Sequence, residues 1–365
     1  MDSRGSSTPL NDERTEVAPP ADETKWPVPD LPPRVIVDLR TDCNLKCPMC
    51  VVHGEPDNPI LKDWIRRDTD FEKLEPVLDE LTPAKSLMMP SLWSEPTLAK
   101  HFIDYVRGCK ERGLSVAMNT NGLTLRENTA RLFVEIGLDA VAFSIDSTTP
   151  EVLKKVRGVD KLDKLKAAVE MMLRVRGDAA LPRVGVSFVI QDANRHQEQE
   201  FVDTWAHKVD FVRTSELFES GGFPTIEVSE ERQPCPALYS TMAIHVDGNV
   251  SYCCLDGFAE TSVGNVFEEG AHAVWHGDRL NEVRHYHETG QWDKVPFCKS
   301  CDRWASYGFE EEVRDGLLIR RSPEYTYYNR IDRLDNWHGK LLGNHKDPQE
   351  SLSELQEPVA LSAAE

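Results

Sequence analysis

Cys43, Cys47 and Cys50 stand in the run Thr41-Asp-Cys-Asn-Leu-Lys-Cys-Pro-Met-Cys50, directly after the apolar segment 35–39. Three thiolates in one short loop can hold three irons of a 4Fe–4S cube and leave the fourth iron open to a substrate or cofactor. Structural zinc wants four ligands, and neither a fourth cysteine nor a histidine pair stands at finger spacing here. His53, three residues on, reads as a solvated loop histidine.

A second set follows much later: Cys235, Cys253, Cys298 and Cys301, spaced C-x17-C-x44-C-x2-C, with Cys254 beside the second. Between the first two, residues 241–252 form two short alternating runs about an Asp247-Gly-Asn turn. That pattern predicts a β-hairpin carrying Cys253 back toward Cys235. Four convergent thiolates suit a cluster ligated entirely by cysteine, and on bare spacing they also suit zinc. Cys109 lies at helical spacing in an apolar stripe and reads as a small buried hydrophobe. Cys254 is open to three roles: alternative ligand, packing residue facing away from Cys253 by strand alternation, or thiol hydrogen-atom donor.

The elements that must position these groups alternate regularly. Strand patterns fall at 34–39, 86–90, 115–119, 140–145, 183–190 and 209–214. Helical patterns fall at 70–81, 97–112, 124–136, 149–175 and 196–207, with Asp70 and Thr124 as starting caps. Six βα units in series call for a parallel sheet with right-handed crossovers. The first cysteine loop then follows the first strand, and active sites of such barrels lie at the carboxyl ends of the strands.

This C-x3-C-x2-C loop after a first strand resembles the radical S-adenosylmethionine (SAM) superfamily, over about residues 34–215. The resemblance implies a partial, open (β/α)6 barrel, with SAM chelated at the open iron and cleaved by one electron to a 5'-deoxyadenosyl radical. It implies a SAM-facing role for several further residues. Ser94 and Glu95, in Ser91-Leu-Trp-Ser-Glu-Pro96, stand in the family's Gly-Glu-Pro turn, with serine where glycine is usual. Asn119 and Asn121, in Asn119-Thr-Asn-Gly122, match the turn beside the SAM carboxylate and ribose. Ser144 and Asp146 end the fourth strand, where Asp146 could equally cap the next helix. Arg157 matches an arginine near SAM, and Met49 replaces an aromatic residue against adenine.

The second set resembles the twitch form of the SPASM domain, a small α+β unit in which Cys235, Cys253, Cys298 and Cys301 would bind one auxiliary 4Fe–4S cluster. Gly248, the Gly264-Asn-Val266 segment and the terminal C-x2-C carry that likeness. The expected organisation is an arm without order at 1–33, the barrel at 34–215, the cluster domain at 216–310, an extension at 311–335 and an acidic tail at 336–365. Aminoglycoside-biosynthesis dehydrogenases and epimerases share this combination. The implied reaction is oxidation of an alcohol in an amino sugar or cyclitol, with the auxiliary cluster as electron acceptor and flavodoxin or ferredoxin as donor. An epimerase using Cys254 and a peptide-modifying enzyme are alternatives; a non-catalytic scaffold with metal sites is the alternative from another class.

Composition narrows the setting. The chain has 365 residues, 40% of them hydrophobic, with nine cysteines and a formal charge of -20. Its acidity argues against nucleic acid, whose binders carry a basic face. Residues 1–33 hold seven acids against three bases and residues 347–365 five acids and no base. The acidic remainder would suit a cationic substrate such as an amino sugar, or serve solubility alone. No apolar run reaches the ~18 residues of a membrane span and no secretory signal opens the chain, so a cytoplasmic protein with metal or redox cysteines is expected.

Overall fold

Segments such as Arg183–Ile190 are rich in β-branched and aromatic residues and buried almost throughout. A strand covered on both faces belongs in a parallel sheet wrapped by helices. The computed structural model, which describes residues 26–55, 67–217, 231–307 and 309–334, has that arrangement. Strands β1 (Arg34–Val37), β2 (Leu87–Met89), β3 (Ser115–Thr120), β4 (Ala140–Ser144), β5 (Arg183–Ile190) and β6 (Phe211–Glu216) lie parallel and in sequence order. This is the expected partial barrel. Its helices are α1 (Phe71–Leu81), α2 (Phe102–Glu111), α3 (Glu127–Ile136), α4 (Pro150–Arg157), α5 (Leu162–Arg176) and α6 (Glu198–Trp205). Asp70 caps α1 by accepting from Glu72 N.

The single helix expected over 149–175 is two. Gly158 ends α4 at φ +75°, a conformation that favours glycine, and any side chain there would stand 3.2 Å from the Lys46 carbonyl. The break brings the end of α4 against the first cysteine loop.

The barrel sheet is extended at both edges. On one side, β7 (Thr241–Ile244) pairs parallel to β1, and β8 (Asn249–Ser251) and β9 (Ser262–Asn265) follow antiparallel. The expected hairpin is thus built onto the barrel's first strand. On the other side, β10 (Glu310–Arg314), β11 (Leu317–Arg321) and β12 (Tyr325–Arg330) form an antiparallel meander whose last strand pairs with β6. Among the described residues, twelve strands make one sheet. Pairing at both edges satisfies backbone groups that an open barrel would leave exposed.

Two expectations need correction or restriction. Residues 26–33 are not without order: Leu31 and Pro32 are buried, Trp275 Nε1 donates to Pro29 O (2.8 Å) and Ser86 Oγ to Pro32 O (2.7 Å). Proline-rich composition concealed backbone carbonyls that serve as acceptors for buried side chains. The rest of the arm and the tail from 336 lie outside the described residues. Among the described residues, one continuous apolar cluster runs from Val35 and Phe143 in the barrel to Val250 and Trp275 beyond it, and a small second one holds Leu318 and Leu334. Among the described residues no helix is long and apolar enough to cross a membrane.

Candidate cofactor and substrate site

The Cys43–Cys50 loop leaves β1 and borders a cavity of about 320 Å³ at the carboxyl ends of the strands. Cys50 N donates to Cys47 O (2.9 Å), closing a turn, while Leu45 N points at Cys43 Sγ (3.4 Å) and His53 N at Cys50 Sγ (3.3 Å). Gly54 N donates to Cys50 O (2.8 Å), and a Cβ at Gly54 would lie 2.5 Å from that oxygen. His53 is not solvated. It is buried at 6% exposure, lines the cavity, and its Nε2 has no hydrogen-bond partner. Burial pushes the Cys43 thiol up to about 12 and raises Cys47 and Cys50 as well. Thiols so placed give up protons readily only to a metal. An orphaned imidazole nitrogen and three thiols around one hollow fit a metal cluster.

Around the same cavity stand Met49, Ser94, Glu95, Asn119, Asn121, Ser144 and Arg157. Glu95 is 2% exposed and joins the ends of β2 and β3: its carboxylate accepts from Thr97 Oγ1 (2.6 Å), Thr120 Oγ1 (2.7 Å) and Asn121 N (2.7 Å). Asn121 Nδ2 donates to Asn44 Oδ1 (2.7 Å), tying that turn to the cysteine loop. Ser94 Oγ donates to Asp38 Oδ1 (2.8 Å) at the end of β1. Gln191 Nε2 meets Met49 Sδ at 2.9 Å, and Ser187 Oγ donates to Ser144 Oγ (3.2 Å). Asp146 departs from both expected roles. It is fully buried, accepts from Arg157 Nε (2.6 Å) and Val189 N (2.8 Å), and leaves the capping of α4 to Thr149. Its φ of +62° turns the carboxylate away from the strand direction that alternation predicts.

A larger cavity of about 360 Å³ fills the barrel below. Its wall includes Arg34, Leu87, Ser115, Ala140, Arg183 and Phe211, the first residues of β1 to β6, so it reaches the amino ends of the strands. Cys235, Cys253, Cys254, Cys298 and Cys301 line it there. Cys235 N donates to His287 Nδ1 (3.2 Å), and burial holds that imidazole down at about 4, neutral and able to accept. Arg232 donates to Cys298 O (2.6 Å) and Lys299 O (3.2 Å) and stacks on Trp292, bracing the terminal C-x2-C. Among the described residues, the one group of three or more His, Cys, Asp or Glu donors mutually within 4.8 Å is Asp30, His272 and His276, on the outer surface. A zinc tetrahedron brings its sulfurs within about 3.8 Å of one another. The quartet is more open than that and suits a larger cluster.

Cys254 does not face away from Cys253. β8 ends at Ser251, so alternation no longer governs the two cysteines, and both line the cavity. The charges acting on Cys254 are those of Arg34 and Glu324, and Cys254 in turn acts on Cys253 and Cys235, so it stands beside the quartet. The two cavities adjoin: Trp93, Met118, Asn119, Arg213, Glu324 and Tyr325 border both.

Residues 39–203 match the radical SAM superfamily, and residues 235–302 match the SPASM iron–sulfur cluster-binding domain. The chain carries a radical SAM domain followed by a SPASM domain. SAM and 4Fe–4S clusters are the cofactors of this pair of domains. A probable GTP 3',8-cyclase of Saccharolobus islandicus (strain Y.N.15.51 / Yellowstone #2) is 31% identical over 179 residues, 47% of this chain and 53% of the relative. The chain thus spans about half the length of the curated relatives it matches. The crystal structure of Streptococcus suis SuiB bound to S-adenosylmethionine superposes at a TM-score of 0.57 with 15% identity, covering 70% of this chain and 68% of SuiB, a likeness of fold. BtrN in complex with AdoMet and 2-DOIA covers 74% of this chain and 93% of its own at 17% identity, with a TM-score of 0.49 too low to argue from.

The residues lining the larger cavity do not share the acidity of the sequence. Five arginines line the larger cavity (Arg34, Arg183, Arg213, Arg232 and Arg303) against two acids, Asp139 and Glu324. Asp139 is engaged by Lys110 Nζ (2.6 Å) and Val116 N (2.7 Å), and Glu324 lies 3.4 Å from Arg303. The acidic surplus of the sequence lies elsewhere, and net charge says nothing of where charge sits. Arg34, Trp93, Arg213 and Glu324 were missed as site residues. The one sequence signal available was strand alternation, which puts Phe211, Arg213 and Ser215 on one face of β6.

Proposed function

We propose that this radical SAM protein oxidises an alcohol carbon of a small polyhydroxylated substrate, a sugar or cyclitol, to a ketone within the barrel lumen. The observation that carries the reading is the pair of adjoining cavities, with one cysteine set at the upper end and the other at the lower. When bound, the cofactors supply a hydrogen-abstracting 5'-deoxyadenosyl radical at one end and an electron acceptor at the other.

The chain's own residues prepare that chamber. This reading assigns Cys43, Cys47 and Cys50 to the SAM-binding cluster and Cys235, Cys253, Cys298 and Cys301 to the auxiliary one. Asn119, Asn121, Ser144, Arg157, Met49 and the Ser94–Glu95 turn border the place for SAM, with Glu95 acting by position. Trp93, Met118 and Tyr325 wall the lumen with apolar surface, which keeps water from the reacting carbon. An amino sugar suits the arginine-lined wall less well than a neutral or acidic one. Ring closure, the reaction in the name of the probable cyclase, is not carried over from a relative sharing half its length.

A second reading, epimerisation, is favoured by Cys254, a fifth thiol that lines the cavity beside the quartet. Anaerobically reconstituted protein, reduced with dithionite or flavodoxin, should convert SAM to 5'-deoxyadenosine and take deuterium from a ring-deuterated substrate. Absence of SAM cleavage sinks both readings. A ketone product supports the first; an inverted carbon that Cys254→Ala no longer produces supports the second.

A further inference from the structure

The lumen holds arginines that its own acids do not neutralise. Arg34 is 7% exposed and donates through Nε (2.9 Å) and Nη2 (2.7 Å) to a single hydroxyl, Thr241 Oγ1, its register partner on β7. Arg213 borders both cavities, and its Nε is buried with no hydrogen-bond partner. Opposite it on β12 is Tyr327, whose side chain hydrogen-bonds it, with Tyr325 two residues away. The acid whose charge reaches Arg213 is Asp146, and that carboxylate is already bound to Arg157 at 2.6 Å. Arg232 differs, since its surroundings are the carbonyls and thiols of the auxiliary cysteines. It answers the charge of a cluster there. Arg213 has no such cysteine neighbours among the groups that act on it.

Arg213 is half-buried and the acid acting on it is shared with Arg157, so its guanidinium keeps charge and donors for an arriving anion. Arginine's planar fork also matches carboxylate and phosphate oxygens better than any other side chain. We propose that Arg213 is an anion-recognising residue at the junction of the two cavities, with Arg34 adding positive potential in the larger one. The substrate is then a small molecule bearing a carboxylate or phosphate, anchored by that group while its alcohol carbon lies in the lumen. This rests on the reading above that the lumen is the substrate site. Sequence separation explains why the arrangement is invisible in the chain: Arg34 opens the first strand and Arg213 sits in the sixth, and they share a cavity only once the sheet curls.

The test uses holoprotein under anaerobic conditions and four rings that differ in charge: glucose 6-phosphate, glucuronate, glucose and glucosamine. Binding is followed by calorimetry and by the fluorescence of Trp93 and Trp304, which line the cavity. The phosphate, the carboxylate or both should bind at least about tenfold more tightly than glucose and glucosamine, as expected for one charge-assisted contact. That preference should shrink as salt is raised. Arg213→Gln should abolish the preference, and Arg213→Lys should restore part of it, with iron content and melting temperature confirming that both variants fold. Equal binding of all four rings, absence of binding below 10 mM for every ring, or an unchanged preference in Arg213→Gln overturns the proposal. SAM cleavage by the wild type is read in parallel. Cleavage without anion preference removes this subsite alone, whereas anion preference without cleavage removes the oxidation reading and leaves the subsite standing.

Discussion

Arg157 Nε donates to Asp146 Oδ2 across 2.6 Å at a site where both side chains are buried, at 9% and 0% exposure. The carboxylate leaves the carboxyl end of β4 and the guanidinium leaves the last turn of α4, so the pair fixes that helix beside the cysteine loop. The charge of Arg157 acts on Cys47 and Cys50, and it therefore bears on the cluster ligands as well as on stability.

Asp146→Asn should destabilise the protein by about 3 kcal/mol, because removing one partner leaves an uncompensated buried charge. Urea unfolding of wild type and variant checks this. A change under about 1 kcal/mol would show that Arg157 finds water or another partner.

Gly54→Ala should cost the protein its first cluster while sparing the second. The new methyl would stand 2.5 Å from Cys50 O and 2.7 Å from Pro48 O, both backbone atoms that cannot step aside. Reconstituted wild type should hold about eight irons and the variant about four, matching a variant with Cys43, Cys47 and Cys50 all changed to Ala. Full iron in Gly54→Ala would contradict the loop geometry.

Glu95→Gln should weaken SAM binding without loss of iron. The carboxylate accepts from Thr120 Oγ1 and Asn121 N, and an amide has one acceptor oxygen to offer where the carboxylate has two. The β3 turn should loosen, with the dissociation constant for SAM rising about tenfold, in line with one charged hydrogen bond. Anaerobic equilibrium dialysis measures it; unchanged affinity would make Glu95 a purely structural staple.

Asp38 should tie stability to pH in an unusual direction. Burial raises its carboxyl from 3.8 to about 7, with the hydrogen bond from Ser94 pulling the other way. Between those values the folded protein keeps a proton that the unfolded chain has released, so this contribution is present at low pH and is lost as pH rises through about 7. The slope is at most roughly 1.4 kcal/mol per pH unit. Urea midpoints measured from pH 5 to pH 8 should fall less steeply in Asp38→Asn than in wild type, and parallel slopes would refute the assignment.

What the chain determined by itself is local and periodic. Three thiols within eight residues specify their chemistry by proximity alone, and the alternation of strand and helix patterns specifies a parallel barrel, because each apolar face must be buried against the next. The pairing of β7 with β1 and of β12 with β6 had no such signal. Edge strands choose partners by backbone hydrogen bonding, which is blind to residue type, and sequence separations of about two hundred and one hundred residues carry no periodicity. Asp146 shows the same limit at a single residue: alternation points its side chain one way, and a left-handed backbone turns it to Arg157. The charge of the lumen is the largest case. A net of -20 is a sum over the whole chain, while the field in the larger cavity depends on which few charged side chains the closing sheet turns inward, and those are five arginines and two acids.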